Sequence, residues 1–472
     1  MSATDRRLFR GTASSLLLLA AGCAVGPDYR KPQVTTPPAY SEKSPWKVAQ
    51  PRDSVPRSAW WRMFGDPALD SLEAKAAAAS PTLRSALARF DAALAAARLS
   101  RAALSPSLSV NSNSFRERYS AHRQSEFPAT TFSYTTNSFD LPLDLSYEVD
   151  LFGQVRRGVE AATAAAEAQG AAYQGVLLAL QAGVAQNYFA LRSLETQRAL
   201  LQQNADLLRD ALDLVRKLRR GGANSDLDVY QAEAELATVE DAAAAADQSI
   251  AVQQHALAVL VGENPEGFRI EASPLDATQY PVPVGLPSEL LERRPDVAAA
   301  ERTMAAANAR IGVAKAAFFP SIGLTAFAGA NSSDLNNLLA WSSREWAAGP
   351  FVSVPLFNGG ANSANLRQAQ AAYDGAVADY RQQVLVAFQE VEDGLSDLRI
   401  LGKRADILGR AVTASAGASS LSVIRYKAGL VSYIEVIDSQ RTQLQSELSL
   451  ADARATRLSA TVLLVRALGG GW

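Results

Sequence analysis

The chain has 472 residues, room for two or three ordinary domains, and its 48% hydrophobic and 20% charged content excludes a disordered polymer. A formal net charge of −2 offers nothing for nucleic acid to bind. One cysteine, Cys23, excludes an internal disulfide framework, and two distant histidines, His122 and His255, leave no transition-metal ligand set; no cofactor is expected.

The first element, residues 1–22, reads as a signal peptide. Arg6, Arg7 and Arg10 form a positive n-region and Leu16 to Ala21 an apolar stretch far too short to span a bilayer. Ala20, Ala21, Gly22 and Cys23 then resemble a bacterial lipobox, so Cys23 is expected to be lipidated and to begin the mature chain. Two or three acyl chains anchor stably. Ala24, rather than aspartate, after the cysteine points to the outer membrane. No later segment has 18 consecutive apolar residues.

Residues 23–59, rich in proline, serine and charge, read as an extended segment. The rest divides into a first repeat at 60–265, a linker at 266–286 and a second repeat at 287–472. LSPSLSV (104–110) matches FPSIGL (319–324), Asp150-Leu151-Phe152-Gly153 matches Pro355-Leu356-Phe357-Asn358, and RGGANSDLDVYQA (220–232) matches KAGLVSYIEVIDS (427–439). Gly222 falls on Gly429 and Gly262 on Gly469, both at an offset of 207 residues (429 − 222 and 469 − 262). Each unit reads helix, strand, strand, very long helix, turn, helix. The long helices are expected at about 154–219 and 361–427, with shorter partners at about 226–262 and 433–468. They lack proline, keep apolar residues at helical spacing, and at 1.5 Å per residue make coiled-coil rods of roughly 100 Å. Gly170, Gly175 and Gly183 are the places where the first would break into shorter helices.

Strands are expected at about 106–117, 137–151, 320–330 and 349–357. The second reads FDLPLDLSYEVDL, with every odd position apolar and every even position polar or proline. No second sheet is available to cover its apolar face, so that face is expected on lipid. Asp140, Asp144, Glu148 and Asp150 then face a water-filled lumen that prefers cations. Thirteen residues rise about 43 Å and, tilted, cover roughly 30 Å of bilayer. Four strands cannot close a barrel, and lipid tolerates no open edge, so the chain must oligomerise. Two copies give a filled barrel and three a channel; strand count alone does not choose.

Six segments, CAVGPDYRKP, WWRMFGDPALDSL, YEVDLFG, GLPSELLERRPDVAAAE, AKAAFFPSIGL and RYKAGLVSYIEVIDSQR, occur in one order over the whole mature chain. Together they resemble the outer-membrane factor family of TolC-like exit ducts, in its NodT-type lipoprotein branch. The resemblance implies a mixed fold: a homotrimer whose twelve strands form an outer-membrane β-barrel, continued by a helical periplasmic tunnel with a closed inner tip. It implies an exit duct for drugs or other small molecules, with no catalytic role. Its partners are a periplasmic adaptor and a proton-driven inner-membrane transporter of the resistance-nodulation-division type. The gate lies at the helical turns Arg220–Asp228 and Lys427–Glu435. There Glu435 and Asp438 stand one helical turn apart on one face, and symmetry would make each a ring of carboxylates. Arg441 is placed to tie Asp438 to a neighbouring helix. Tyr426 matches a position that holds the two coiled coils together and Asp228 its usual partner, while Val431 stands where some relatives carry arginine. Gly222, Ala223 and Ser225, with Gly429, Leu430 and Ser432, match the adaptor-docking turns.

Two other cargoes fit the same fold, proteins in type I secretion and heavy metals. No methionine or histidine cluster favours metal export, and no GxSxG, HExxH or P-loop motif supports an enzyme. A soluble coiled-coil scaffold would leave the lipobox and the strands without a purpose.

Overall fold

A computed structural model describes residues 24–32, 57–122, 132–273, 275, 282 and 293–470; the expected signal peptide and Cys23 lie outside them. The chain forms two compact units. One takes residues 90–169 and 300–380 with the N-terminal segment, and the other 34–89, 170–299 and 381–472.

Helix α1, Pro67–Ala79, begins at Asp66, whose side chain accepts from the backbone N–H groups of Ala68 and Leu69, with proline at the first helical position. A 3-10 turn, Arg57–Phe64, precedes it. Helix α2, Pro81–Ala102, starts at Ser80 in the same way, Ser80 Oγ lying 3.5 Å from the N–H of Leu83. Helix α3 runs unbroken over Gln154–Arg220, through Gly170, Gly175 and Gly183. It turns into α4, Asp226–Val261. After α5, Pro295–Ala316, comes α6, Ala361–Lys427, which turns into α7, Tyr433–Ala467. Helices α3 and α6 are each 67 residues long, and every residue type in them other than glycine tolerates a helix interior.

In the second unit the main core packs Trp60, Phe64, Leu69 and Leu72 against Tyr188, Phe189 and Leu191 of α3, Leu257 and Val261 of α4, and Leu395 and Leu464 of α6 and α7. The WWRMFGDPALDSL motif is therefore core: Phe64 meets Phe189 edge-on at 4.7 Å, and Tyr188 Oη donates to Asp66. Gly262 and Gly469 end α4 and the segment after α7 with φ of 75° and 87°. A Cβ on Gly262 would lie 2.7 Å from the carbonyl oxygen of Ala79, and one on Gly469 would lie 2.8 Å from that of Arg293. Only glycine meets both demands.

The first unit carries one antiparallel sheet. Strands β1, Ser107–Val110, and β2, Asn113–Tyr119, both pair with β3, Tyr134–Val149. Next to β3 lies β4, Ser321–Ser332, and then β5, Arg344–Ser353. The β1 and β2 pairings continue one register, from Val110 opposite Leu143 to Asn113 opposite Asp140, so Asn111 and Ser112 interrupt a single strand. They lie opposite Pro142 and Leu141, and Pro142 has no N–H to offer the ladder. The strand expected at 349–357 is found at Arg344–Ser353. Val354 and Leu356 continue its alternation on paper, but Pro355 cannot donate, and strand pairing stops at Ser353.

Glu73 of α1 is fully buried, and neither carboxyl oxygen has a hydrogen-bond partner among the described residues. Burial, reinforced by the nearby Asp70 charge, pushes its pKa up to about 9. A carboxyl group with a raised native pKa holds its proton in the folded state after the unfolded chain has lost it. Its contribution therefore favours folding less and less as pH rises from the ordinary carboxyl range to about 9. Glu73→Gln is expected to flatten a fall in melting temperature that the parent shows between about pH 5 and pH 8; parallel curves in thermal denaturation would contradict it.

Candidate functional site

In a paired antiparallel sheet, residues opposite one another share a face. The register therefore assigns both faces of this sheet. One carries Leu108 and Val110 of β1, the odd residues Phe139 to Val149 of β3, and Ile322, Leu324, Ala326, Ala328 and Ala330 of β4. It continues through Trp346, Ala348, Pro350 and Val352 of β5. This apolar face stays open: Leu108 is 62%, Trp346 79% and Val352 62% exposed. No described element of the chain covers it, and such a surface does not stay bare in water.

The opposite face is mixed: it carries the acidic residues of β3 together with Phe115 of β2, Phe327 of β4 and Phe351 of β5. Asp140 accepts from the side-chain amide of Asn331 and, at 3.2 Å, from Ser138 Oγ; Asp144 accepts from Asn111 Nδ2 at 3.1 Å. Glu148 shares this face, opposite Gly323. Asp150 does not belong with them. It lies past the end of β3, and its carboxylate accepts from the N–H groups of Val155 and Arg156, at 3.1 and 2.8 Å, and from Arg156 Nε. The first turn of α3 leaves those N–H groups without backbone partners, and a carboxylate satisfies them best.

At this strand-to-helix junction, Phe152 stacks on Phe319 with ring centroids 4.8 Å apart. The N-terminal segment is fastened here by successive residues. Val25 donates its N–H to the carbonyl of Phe152 at 3.0 Å, and Gly153 comes so close to Ala24 that a Cβ would lie 2.9 Å from it. Gly26 packs its backbone on Gly312 of α5, Asp28 pairs with Arg157 at 2.7 Å, and Asn308 donates to the Pro27 carbonyl at 3.0 Å. Tyr29 and Lys31 both reach Glu301, at 3.2 and 3.1 Å.

In the other unit, the turn between α3 and α4 is closed locally. Ser225 caps α4, and the Asp228 carboxylate reaches back to accept from the Ser225 N–H and hydroxyl, both at 2.9 Å. The expected Tyr426–Asp228 contact is not made. Asp228 is committed to that capping box, and Tyr426 Oη instead accepts from Asn224 Nδ2 at 2.7 Å. The turn between α6 and α7 lacks the box: Ser432 makes no side-chain cap, and Glu435, three residues on, stays exposed. Asp438 is exposed too, and among the described residues neither carboxylate forms a salt bridge. Arg441 does not tie Asp438 to a neighbouring helix; its Nε donates to Glu235 of α4 at 2.6 Å, a hydrogen bond that raises its pKa. Glu235 is itself 5% exposed, and the geometry favours a buried partner of opposite charge. Gly222, Ala223, Gly429 and Leu430 are exposed in the turns, with φ of 80° at Gly222 and 71° at Gly429.

Sequence reasoning passed over three features. Glu235 is one. The second is Arg294, buried inside the GLPSELLERRPDV motif, which pairs with Asp296 and Glu390 and donates to the Ala467 carbonyl at 3.0 Å. The third is a ladder of ion pairs joining α3 to α4: Arg198 to Asp247, Arg209 to Glu240, Arg216 to Glu233 and Arg219 to Asp226. A signal for it existed, since each arginine before the Gly222 turn has an opposite charge after it, and the pairs nest in antiparallel order. Moved by 207 residues, the four arginines become Ala405, Ala416, Val423 and Tyr426. The second hairpin has no such ladder; Tyr426 meets the Tyr433 ring at 5.4 Å instead.

The chain matches the family model for outer membrane efflux protein over residues 72–263 and 286–470. It is 33% identical to the toluene efflux pump outer membrane protein TtgC of Pseudomonas putida, over 97% of this chain and 96% of that one. It is also 33% identical to the outer membrane protein OprJ of Pseudomonas aeruginosa, over 98% and 96%. Among solved structures, that of the outer-membrane channel OprN superposes with a TM-score of 0.88 at 32% identity, covering 95% of this chain and 100% of the other. An open apolar sheet face, acidic residues on the face behind it, helical hairpins and full-length similarity agree: the chain belongs to the outer membrane efflux protein family.

Proposed function

We propose that three copies of this chain form the outer-membrane exit duct of a tripartite efflux pump, passing small molecules from an inner-membrane transporter through a periplasmic adaptor to the exterior. The observation that carries this is the sheet. Its outermost strands, β1 with β2 on one side and β5 on the other, present backbone groups that no described residue of the chain pairs. Three sheets joined edge to edge satisfy those groups and leave a twelve-stranded barrel with the apolar face on lipid. Helices agree with this count. Helix α6 holds an 18-residue stretch apolar enough to cross a bilayer, of which only 17% is buried within the chain. In a trimer that surface lies against helices of neighbouring copies. The partners are an adaptor and a resistance-nodulation-division-type transporter; similarity to an efflux pump component, TtgC, supports assembly into a pump. The toluene efflux of that relative favours small molecules over secreted proteins or heavy metals as cargo.

Lipid anchoring at Cys23 fits the fastening of the next residue. Ala24 is held against Gly153, where the sheet hands over to α3, so acyl chains on Cys23 would start at the barrel's periplasmic rim. Cys23→Ser is expected to abolish palmitate labelling, while the trimer still reaches the outer membrane through its barrel; labelling that persists would refute the anchor.

Opening of the inner tip works through the second hairpin. The ion ladder staples α3 to α4, each exposed pair contributing about 0.2–1 kcal/mol, whereas α6 has Ala405, Ala416, Val423 and Tyr426 at the corresponding positions and is tied to α7 by the Ser422–Ser439 hydrogen bond and the Glu390–Arg466 pair. Arg441–Glu235 and Asn224–Tyr426 are the ties between hairpins, and the exposed Glu435 and Asp438 would form carboxylate rings at the constriction. Turns at Gly222–Ser225 and Gly429–Ser432 form the docking surface for the adaptor. Arg441→Ala and Asp438→Ala are both expected to raise single-channel conductance in planar bilayers, the first by releasing a tie and the second by putting a smaller side chain at the constriction; conductance equal to that of the parent for both would sink the assignment.

The barrel lumen takes Asp140, Asp144 and Glu148, and so prefers cations. Replacing all three by their amides is expected to move the reversal potential in a salt gradient toward zero; a parent channel that selects anions would overturn the orientation of the sheet.

A further inference from the structure

The apolar sheet face does not stay apolar to its end. Toward the β2–β3 and β4–β5 connections it turns basic. Arg116 and Arg118 of β2 stand opposite Asn137 and Thr135, and Arg344 of β5 opposite Ala330, all on the face that carries Leu141 and Leu143. No acidic side chain shares this face on any of the five strands. The neighbouring Glu117 and Glu345 alternate to the opposite side.

The β4–β5 connection builds a cleft against the same region. Its volume is about 570 Å³, with Leu141, Ala328, Ala330, Leu338, Leu339 and Trp346 among its walls; Arg344 is its cationic group, and Glu345 also borders it from the neighbouring position on β5. The Arg344 guanidinium lies 4.0 Å from the centre of the Trp341 ring, which holds it in place without neutralising it. Leu339 and Trp341 are 77% and 79% exposed, so the cleft opens outward with apolar lips. An apolar cleft that accepts a flexible chain, with a fixed guanidinium beside it, matches one kind of ligand: an acyl lipid with an anionic phosphate headgroup. Arginine suits phosphate because its planar fork offers parallel donors. Water-soluble anions would use the arginine and leave Leu338, Leu339 and Trp346 bare.

We propose that this cleft is a lipid site on the outward end of the barrel. One acyl chain lies along Leu141, Ala328 and Ala330, and the headgroup phosphate is held by Arg344, with Arg116 and Arg118 continuing the basic band on β2. The placement at the outward end rests on the barrel reading above: helix α3 starts at one end of the sheet, directly after β3, and the two connections lie at the other. Three copies would then carry three such clefts around the barrel, each meeting the leaflet that the channel opens through.

The test uses the full-length trimer in mild detergent, equilibrated with an equimolar mixture of phosphatidylglycerol and phosphatidylcholine of identical acyl chains, and native mass spectrometry to count retained lipid. The parent is expected to retain the anionic lipid over the zwitterionic one by about fivefold, as one surface arginine contributes to anionic-lipid binding. Arg344→Gln is expected to bring that ratio close to one. Leu338→Ser with Leu339→Ser is expected to lower total retained lipid while keeping the ratio. Equal retention of both lipids by the parent, an unchanged ratio in Arg344→Gln, or displacement of the anionic lipid by an equal concentration of inorganic phosphate would overturn the site. Planar-bilayer conductance of the same preparations separates this from the channel itself: a conducting parent without lipid preference loses the site and keeps the duct.

Discussion

The constraint on which everything else rests is backbone hydrogen bonding in lipid. A sheet whose apolar face meets hydrocarbon has no water to satisfy its edges, and each unpaired group costs several kcal/mol there. This chain makes one open sheet, with β1 and β2 along one edge and β5 along the other. In the proposed trimer those edges would pair with copies of themselves, and Asp140, Asp144 and Glu148 would then face the lumen. Oligomeric state and lumen chemistry would both follow from the edges and not from any separate device.

The two helical hairpins start from one plan and diverge in how they are held. The first is stapled along its length by arginine–carboxylate pairs and closed at its turn by the Ser225–Asp228 capping box. The second has alanine, valine and tyrosine in place of those arginines, and Glu435 in place of the capping aspartate. Individually these surface pairs are weak. Their effect lies in number, with four in one hairpin and none at the matching sites of the other. In the proposed duct, such inequality would give the gate a preferred way to open.

The alternation of FDLPLDLSYEVDL is a local property, so the strand and its two faces were legible in the sequence, and the absence of proline marked the two 67-residue helices equally well. What escaped was set by competition among local hydrogen bonds. Asp150 continues the alternation, yet the open N–H groups at the start of α3 claim it. Asp228 sits where a latch was expected, yet the Ser225 cap three residues back is nearer. Val354 and Leu356 extend the pattern of β5, and Pro355 denies them a ladder. For Asp150 and for Val354 and Leu356, periodicity named the residue type correctly and missed its partner, because period describes a face and says nothing of which donor arrives first; for Asp228, the family resemblance supplied the partner and the local cap replaced it. Arg294 and Glu235 were hidden for the opposite reason, since their partners are distant in sequence: Glu390 and Ala467 for the one, Arg441 for the other.

The N-terminal segment is fastened to its unit by nearly every residue from Val25 to Lys31. Val25, Gly26, Pro27, Asp28, Tyr29 and Lys31 each make a contact with the end of β3, the start of α3 or α5. Such a run is stiff, and it ends one residue from Cys23, beside the stacked rings of Phe152 and Phe319. A lipid chain attached there cannot drift along the tube. If Cys23 carries acyl groups, they mark the same level as the last lipid-facing residues of the sheet, Val149 and Ile322, which pair with each other. Two independent elements, a strand end and a covalent anchor, would then report one membrane boundary. The barrel alone is held by a hydrophobic band that tolerates some tilt and sliding. An acyl anchor on Cys23, fastened beside Phe152 and Gly153, would remove that freedom and fix the depth of the proposed barrel.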